Sequence, residues 1–240
     1  MSRRLPPGGC WRAGKNGGAP RSVTETAHLE LINCASGIAS RLLARYTGHV
    51  FDLRLSTPRA WLDHVFADFD AFLLDHTLCE RKASATGMSL VAKYPDKTLI
   101  GDDLIEFARE ELEHFHIMYR ICRTRGLILP EDEKDLYVNR LRALVNGRHD
   151  EELFLDRLLI PGVVEARGCE RLMLVSEALE ESPLKQTYLE VTRAEARHHA
   201  LFFRLARRYF DESVVQRRAD QLLDAEAEIM ASLPLRARVH

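Results

Sequence analysis

The sequence predicts an all-α fold, a four-helix bundle with additional flanking helices. Three observations carry this. Apolar residues recur at helical spacing along most of residues 58–232, and no stretch shows the alternating period of a strand. Caps, prolines and glycines divide that pattern into helix-length pieces. One helical segment occurs twice: Arg109-Glu110-Glu111-Leu112-Glu113-His114 and Arg193-Ala194-Glu195-Ala196-Arg197-His198 both read R-x-E-x-x-H, 84 residues apart. The match continues through Ile117-Met118-Tyr119-Arg120 and Leu201-Phe202-Phe203-Arg204.

The elements follow in order. Residues 1–24 contain Arg3, Arg4, Arg12, Lys15 and Arg21, no acid, and five of the 13 glycines, and are expected to be a flexible basic tail. Residues 25–240 are expected to form one helical domain with its core at about 58–210. Thr24–Arg45 sets Leu29, Ile32, Ile38 and Leu42 near one helical face. Ser56-Thr57-Pro58 predicts a helix start, a hydroxyl cap followed by Pro at the first helical position. That helix runs from Trp61 to about Lys93, bent near Asp68–Asp70, and Tyr94-Pro95 ends it. Asp102 or Asp103 is expected to cap the next helix, which Gly126 and Pro130 stop near Arg125. A shorter charged helix is expected within 131–148. Helical pattern resumes near Asp150 and reaches Glu181, interrupted at Pro161-Gly162. Ser182-Pro183 starts a helix reaching about Tyr209, and an amphipathic helix spans Glu212 to Ser232.

The repeat carries chemistry. Glu and His three apart on a helix lie about 60° from each other, so both reach one metal ion. Glu80 precedes Glu111 by 31 residues and Glu165 precedes Glu195 by 30, each pair split by a turn. A Glu on each descending helix therefore returns to the height of the Glu-x-x-His on the ascending one. All four carboxylates fall on largely apolar faces, where charge is costly unless paired or coordinated. The expected metal ligands are Glu80, Glu111, His114, Glu165, Glu195 and His198, a dinuclear carboxylate site in a bundle core.

Glu-x-x-His alone is weak evidence. The chain has four, and Glu25/His28 and Glu113/His116 lie outside the joint register. His76 is either a supporting partner of Glu80 or a satisfied helix histidine, and His199 reads as a buried neighbour. Glu170 stays open as an alternative to Glu165, because Cys169-Glu170-Arg171 echoes Cys79-Glu80-Arg81. On the wheel, Glu165 faces away from Arg167 and Arg171, whose charges are expected in water.

Composition limits the function classes. A net charge of -2 and a pI of about 6.6 give no global sign of nucleic-acid or membrane binding, so any basic partner surface is local. No apolar run approaches the roughly 20 residues of a membrane span. Cys10, Cys34, Cys79, Cys122 and Cys169 include no C-x-x-C and read as free thiols of a reducing compartment, with the cytoplasm expected.

Further residues carry a family resemblance. Thr57-Pro58 with Trp61-Leu62, then Leu74-Asp75-His76-x-x-Cys79-Glu80-Arg81-Lys82-Ala83, Glu110-Glu111-Leu112-Glu113-His114-Phe115, Val164-Glu165-Ala166-Arg167-x-Cys169-Glu170-Arg171 and Glu195-Ala196-Arg197-His198 resemble the tRNA 2-methylthio-isopentenyladenosine hydroxylases, the MiaE family. The likeness spans roughly residues 55–210. It implies a ferritin-like non-haem di-iron monooxygenase that uses two iron ions, molecular oxygen and an external electron donor. The implied substrate is the prenylated, thiomethylated adenosine beside the anticodon of tRNA, hydroxylated on its prenyl group. The implied partners are a tRNA anticodon arm and an electron-transfer reductase, with a monomer as one reading of the assembly.

Two competing classes share parts of the pattern: a ferritin-like iron-binding or peroxide-scavenging protein without an organic substrate, and a metal-free helical interaction domain. For a near-neutral chain to meet tRNA phosphates, positive charge must gather locally. Arg204, Arg207, Arg208, Arg217 and Arg218 are the candidates read from the sequence, with solvated helix faces as their ordinary alternative. Met118 and Phe202 are candidates for an apolar substrate wall, with core packing as theirs.

Overall fold

The computed structural model describes residues 53–145 and 148–240, and all regular structure among them is helical. The helices are α1 (Ala60–Ala67), α2 (Phe69–Lys93), α3 (Gly101–Thr124), α4 (Leu136–Ala143), α5 (Asp150–Ala178), α6 (Pro183–Arg207) and α7 (Glu212–Ser232), with a 3-10 turn at Thr98–Ile100 before α3. The expected tail 1–24 and the helix at Thr24–Arg45 lie outside the described residues.

Short connections make α2 and α3 one antiparallel hairpin and α5 and α6 another. The hairpins face each other through α2 against α5 and α3 against α6, while α7 packs on α4, α5 and α6. Apolar side chains fill this bundle in two clusters. One gathers Leu104, Phe107, Phe154, Leu158, Phe202 and Leu222; the other gathers Trp61, Phe72, Leu73, Met118, Val175 and Tyr188. On each of the four core helices the repeat carboxylates fall between residues of the first cluster and residues of the second. A polar layer thus crosses the middle of an otherwise apolar bundle.

Several local expectations change in the tertiary setting. Ser182 caps α6 as expected, its hydroxyl accepting from the Lys185 amide with Pro183 next in line. Thr57 does not cap α1. Its amide and hydroxyl donate to Glu170 at 2.9 and 2.7 Å, and Arg59 takes the cap position without a side-chain bond. The bend at Asp68 is a full break: Asp68 leaves the helical region (φ -143°, ψ 68°) and its carboxylate accepts from the Ala71 amide to start α2. Neither Asp102 nor Asp103 caps α3, because the 3-10 turn carries the chain into it at Ile100; both acids sit in the first turn, where the helix dipole favours them.

Pro161 does not interrupt α5, which runs unbroken through it. Gly162 beside it lets α6 approach: a Cβ there would stand 3.1 Å from Phe202 Cβ and 3.2 Å from the Phe203 ring. Close neighbouring helices hold a proline-containing helix together where an isolated one would break.

Arg167 and Arg171 are the largest correction, since both are buried rather than solvated. Arg167 donates Nε and Nη2 to the buried Glu226 of α7 at 2.8 and 3.0 Å, Nη2 also to the Leu55 carbonyl, and Nη1 to Glu170. Arg171 lies 4.8 Å over the Trp61 ring and donates to the Val239 carbonyl at 3.0 Å. Helix α7 and residues 233–240 cover a face of α5 that the helical wheel assigns to water.

Candidate metal centre

Each hairpin supplies one Glu from its first helix and a Glu-x-x-His from its second. Glu80 on α2, Glu111 on α3, Glu165 on α5, and Glu195 and His198 on α6 are all buried, and His114 is mostly so. Ligand atoms of Glu111, His114, Glu195 and His198 lie within 4.8 Å of one another. Glu111 presents Oε2 to His114 Nδ1 at 3.6 Å and Oε1 to His198 Nδ1 at 2.5 Å. Glu195 presents Oε1 to His114 Nδ1 at 3.5 Å and Oε2 to His198 Nδ1 at 3.6 Å. Each of these two carboxylates therefore spans both imidazoles. Glu80 Oε2 reaches His114 Nδ1 at 3.6 Å, and Glu165 interacts with Glu195.

Supporting side chains hold this arrangement. His76 Nε2 stands 2.5 Å from Glu80 Oε1, and its Nδ1 is 3.3 Å from the Tyr188 hydroxyl. His198 Nε2 lies 2.7 Å from Glu110 Oε2, which leaves Nδ1 turned to the cluster. A carboxylate on the outer nitrogen fixes ring orientation and tautomer, the usual support of a ligating histidine. Sequence reasoning missed Glu110. Its repeat counterpart is Ala194, and only the pairing of α3 with α6 gives it a task. The Phe107 ring stands edge-on to His198, with centroids 4.9 Å apart. His199 is buried with Nδ1 3.4 Å from the Gly162 carbonyl, outside the cluster, and Glu113 and His116 are exposed.

Four carboxylates around two imidazoles create a strong demand for positive charge. Burial raises Glu165 well above the carboxylate range, reinforced by Glu195 and Glu111. Burial with Glu195 and Glu80 nearby pushes Glu111 up to about 8. Burial alone would lower His198, but its contacts with Glu111 and Glu195 outweigh this and push it up to about 10. His114 moves in the same direction for the same reason.

Both Glu111 oxygens, Glu195 Oε1, and Nδ1 of His114 and His198 are shielded from water and have no hydrogen-bond partner in good geometry, despite their short mutual distances. Buried polar atoms left so cost about 1–3 kcal/mol each. Lone pairs converging in this way are what a bound cation satisfies. Hard carboxylate oxygens with imidazole suit iron, so the residues present fit a di-iron group.

Glu170 stands apart from this cluster, held by Thr57 and Arg167. A cavity of about 800 Å³ reaches Glu80, Glu111, Glu165 and Glu195 from between α2, α5 and the segment 132–145. Leu90, Phe107, Ile160, Val164 and Leu172 give it an apolar wall. Met118 and Phe202 do not line it: both are fully buried in the core clusters, Phe202 behind Phe107 with ring centroids 5.0 Å apart. None of Arg204, Arg207, Arg208, Arg217 and Arg218 lines it either. Arg207 pairs with Glu212, Arg208 with Asp103, and Arg218 with the buried Asp156, while Arg204 and Arg217 are exposed.

Fold and donor set define the class: a ferritin-like helical bundle with a carboxylate-rich site suited to two iron ions. Residues 37–240 match the family model described as tRNA-(MS[2]IO[6]A)-hydroxylase (MiaE). The chain is 34% identical over 184 residues, 77% of its length and 89% of the relative's, to the tRNA 2-(methylsulfanyl)-N(6)-isopentenyladenosine(37) hydroxylase of Pseudomonas putida. It is 23% identical over 237 residues, covering 78% of this chain and 87% of the relative, to the protein of the same name from Salmonella typhimurium. Among solved structures it resembles protein 43 with aldehyde deformylating oxygenase activity from Synechococcus, with a TM-score of 0.74, 29% identity, and coverage of 80% of this chain and 96% of that one. The chain belongs to the MiaE family.

Proposed function

We propose that this protein is an oxygen-dependent non-haem di-iron monooxygenase that hydroxylates the isopentenyl side chain of 2-methylthio-isopentenyladenosine beside the anticodon of tRNA. The observation that carries the reading is the buried Glu/His cluster at the inner end of an apolar-walled cavity, in a chain of this family. Glu80, Glu111 and His114 would hold one iron, and Glu165, Glu195 and His198 the other. Glu111 and Glu195 each approach both histidine rings, so both would contribute donor oxygens at the centre of the group.

Bound iron supplies the activation of dioxygen that hydroxylation of an allylic C–H bond needs, with electrons from an external donor. The chain supplies everything else. Leu90, Phe107, Ile160 and Val164 offer the prenyl group an apolar berth and keep water from the reacting carbon. Glu110 and His76 hold the outer sides of His198 and Glu80, so the donor atoms keep their aim while charge at the centre changes. An electron-transfer reductase completes the reaction. Cys79, Cys122 and Cys169 are free thiols, which supports a reducing compartment such as the cytoplasm. Among the described residues no helix is long and apolar enough to cross a membrane.

A peroxide scavenger with the same ligands has no use for a cavity of this size against the cluster. Mass analysis of tRNA nucleosides from cells with and without the protein tests the proposal. The hydroxylated nucleoside is expected only where the protein is present. Equal amounts in both would favour the scavenger.

A further inference from the structure

The outer end of the cavity has an unusual charge balance. Its acids are already matched within the fold: Asp132 pairs with Arg81, Glu133 with Arg238, and Asp135 accepts from the Val138 amide and meets His240. Its exposed cations are not. Lys93 in the last turn of α2, Lys134 just before α4 and Arg142 in the last turn of α4 line the cavity, and none has an acidic partner among the described residues. The same cavity runs inward to the four carboxylates.

A volume of about 800 Å³ is within the range of a small-molecule pocket, roughly 300–1,000 Å³. It admits one nucleotide base with its side chain and excludes a helical stem. A base turned out of a single-stranded loop into such a pocket leaves its flanking phosphates at the mouth. Phosphates need cations there, and cations already neutralised by the fold contribute little.

We propose that Lys93, Lys134 and Arg142 form a phosphate-gripping rim that holds the RNA backbone on either side of the nucleotide inserted into the cavity. This rests on the function proposed above and names the surface through which the substrate is held. The helix-end cluster of Arg204, Arg207, Arg208, Arg217 and Arg218 is the natural comparison. Three of its five members are engaged in ion pairs, and none borders the cavity.

The test uses the iron-loaded full chain and tRNA carrying the prenylated, thiomethylated adenosine, with binding measured across a range of salt concentrations. Each contact to a single-stranded phosphate contributes about 0.7 to the slope of log affinity against log salt. The Lys93→Gln/Arg142→Gln double variant should therefore lose about 1.4 of slope. It should also bind at least tenfold more weakly at low salt. Iron content and kcat at saturating tRNA should hold while KM rises, as loss of uniform binding requires. Lys134→Gln should act in the same direction by about half as much. Arg204→Gln/Arg217→Gln should leave the slope unchanged.

An unaltered slope in the rim variants, or a loss confined to the Arg204/Arg217 variant, would overturn the rim while wild-type hydroxylation still stood. Wild-type protein that neither binds nor hydroxylates this tRNA would overturn the functional reading itself, and the rim with it.

Discussion

Cys79-Glu80-Arg81 on α2 and Cys169-Glu170-Arg171 on α5 are the same three residues on facing helices, yet only the α2 copy turns its Glu to the buried Glu/His cluster. On α2 the Glu turns inward, against His76 and His114, and the Arg turns outward to a surface pair with Asp132. On α5 neither residue faces the cluster: Arg171 is buried against Trp61 and the Val239 carbonyl, and Glu170 accepts from Thr57, which Arg171 also reaches. The α5 carboxylate that meets the cluster, through Glu195, is Glu165, five residues earlier and about 140° around the helix. Distance from the hairpin turn sets the height of a side chain on a bundle. A repeated tripeptide does not.

The comparison is broken most sharply at its carboxylates. Glu80→Ala and Glu165→Ala should each deplete iron and abolish hydroxylation, because a coordination sphere loses an anionic donor. Glu170→Ala should keep most of the iron and at most slow turnover. Iron content and nucleoside product measured side by side decide this. Loss of metal in Glu170→Ala with retention in Glu165→Ala would exchange the two roles.

The next effect is on stability. Arg167→Met leaves Glu226 buried without its cation, which costs about 3–5 kcal/mol. Adding Glu226→Leu should recover part of that loss, since it removes the unpaired buried charge, while the Tyr137 hydroxyl, the Leu55 carbonyl and Glu170 each still lack a partner they had. Chemical denaturation of the two variants measures it, and no recovery at all in the double variant would mean that the unpaired charge of Glu226 is not the source of the loss.

The two arginines of the echo should differ. Arg171→Ala loses a buried contact with Trp61 and bonds to the backbone, about 2 kcal/mol. Arg81→Ala breaks an exposed pair and should cost under about 1 kcal/mol. Equal unfolding midpoints for the two would erase the inside-outside contrast. The smallest effect is expected from His116→Ala and Glu113→Ala, which should leave iron occupancy unchanged while His114→Ala and His198→Ala lower it. Equal losses at His114 and His116 would shift the register of α3.

Much of the bundle was legible because its signals are local. Ser182-Pro183, Gly126 with its φ of +75° and the span Glu212–Ser232 are set by residues within a turn of one another. The helix from Asp150 was legible as a helix but not as one unbroken through Pro161, because the contacts that hold it together come from Phe202 and Phe203. Glu110 had no legible role, because its partner is 88 residues away on another helix.

Residue order alone implies that this chain is helical, that its two hairpins repeat, and that Glu80, Glu111, His114, Glu195 and His198 share inward faces at matching heights. Helical period and turn spacing are properties of the chain alone. Packing of distant segments is what makes Thr57 clamp Glu170, buries Arg167 and Arg171, and sets the segment 132–145 along one side of the cavity. Each of those depends on the segment before α1, α7, residues 233–240 or residues 132–145 folding over α2 and α5. A helical wheel distinguishes faces but cannot tell which of them another part of the chain will cover.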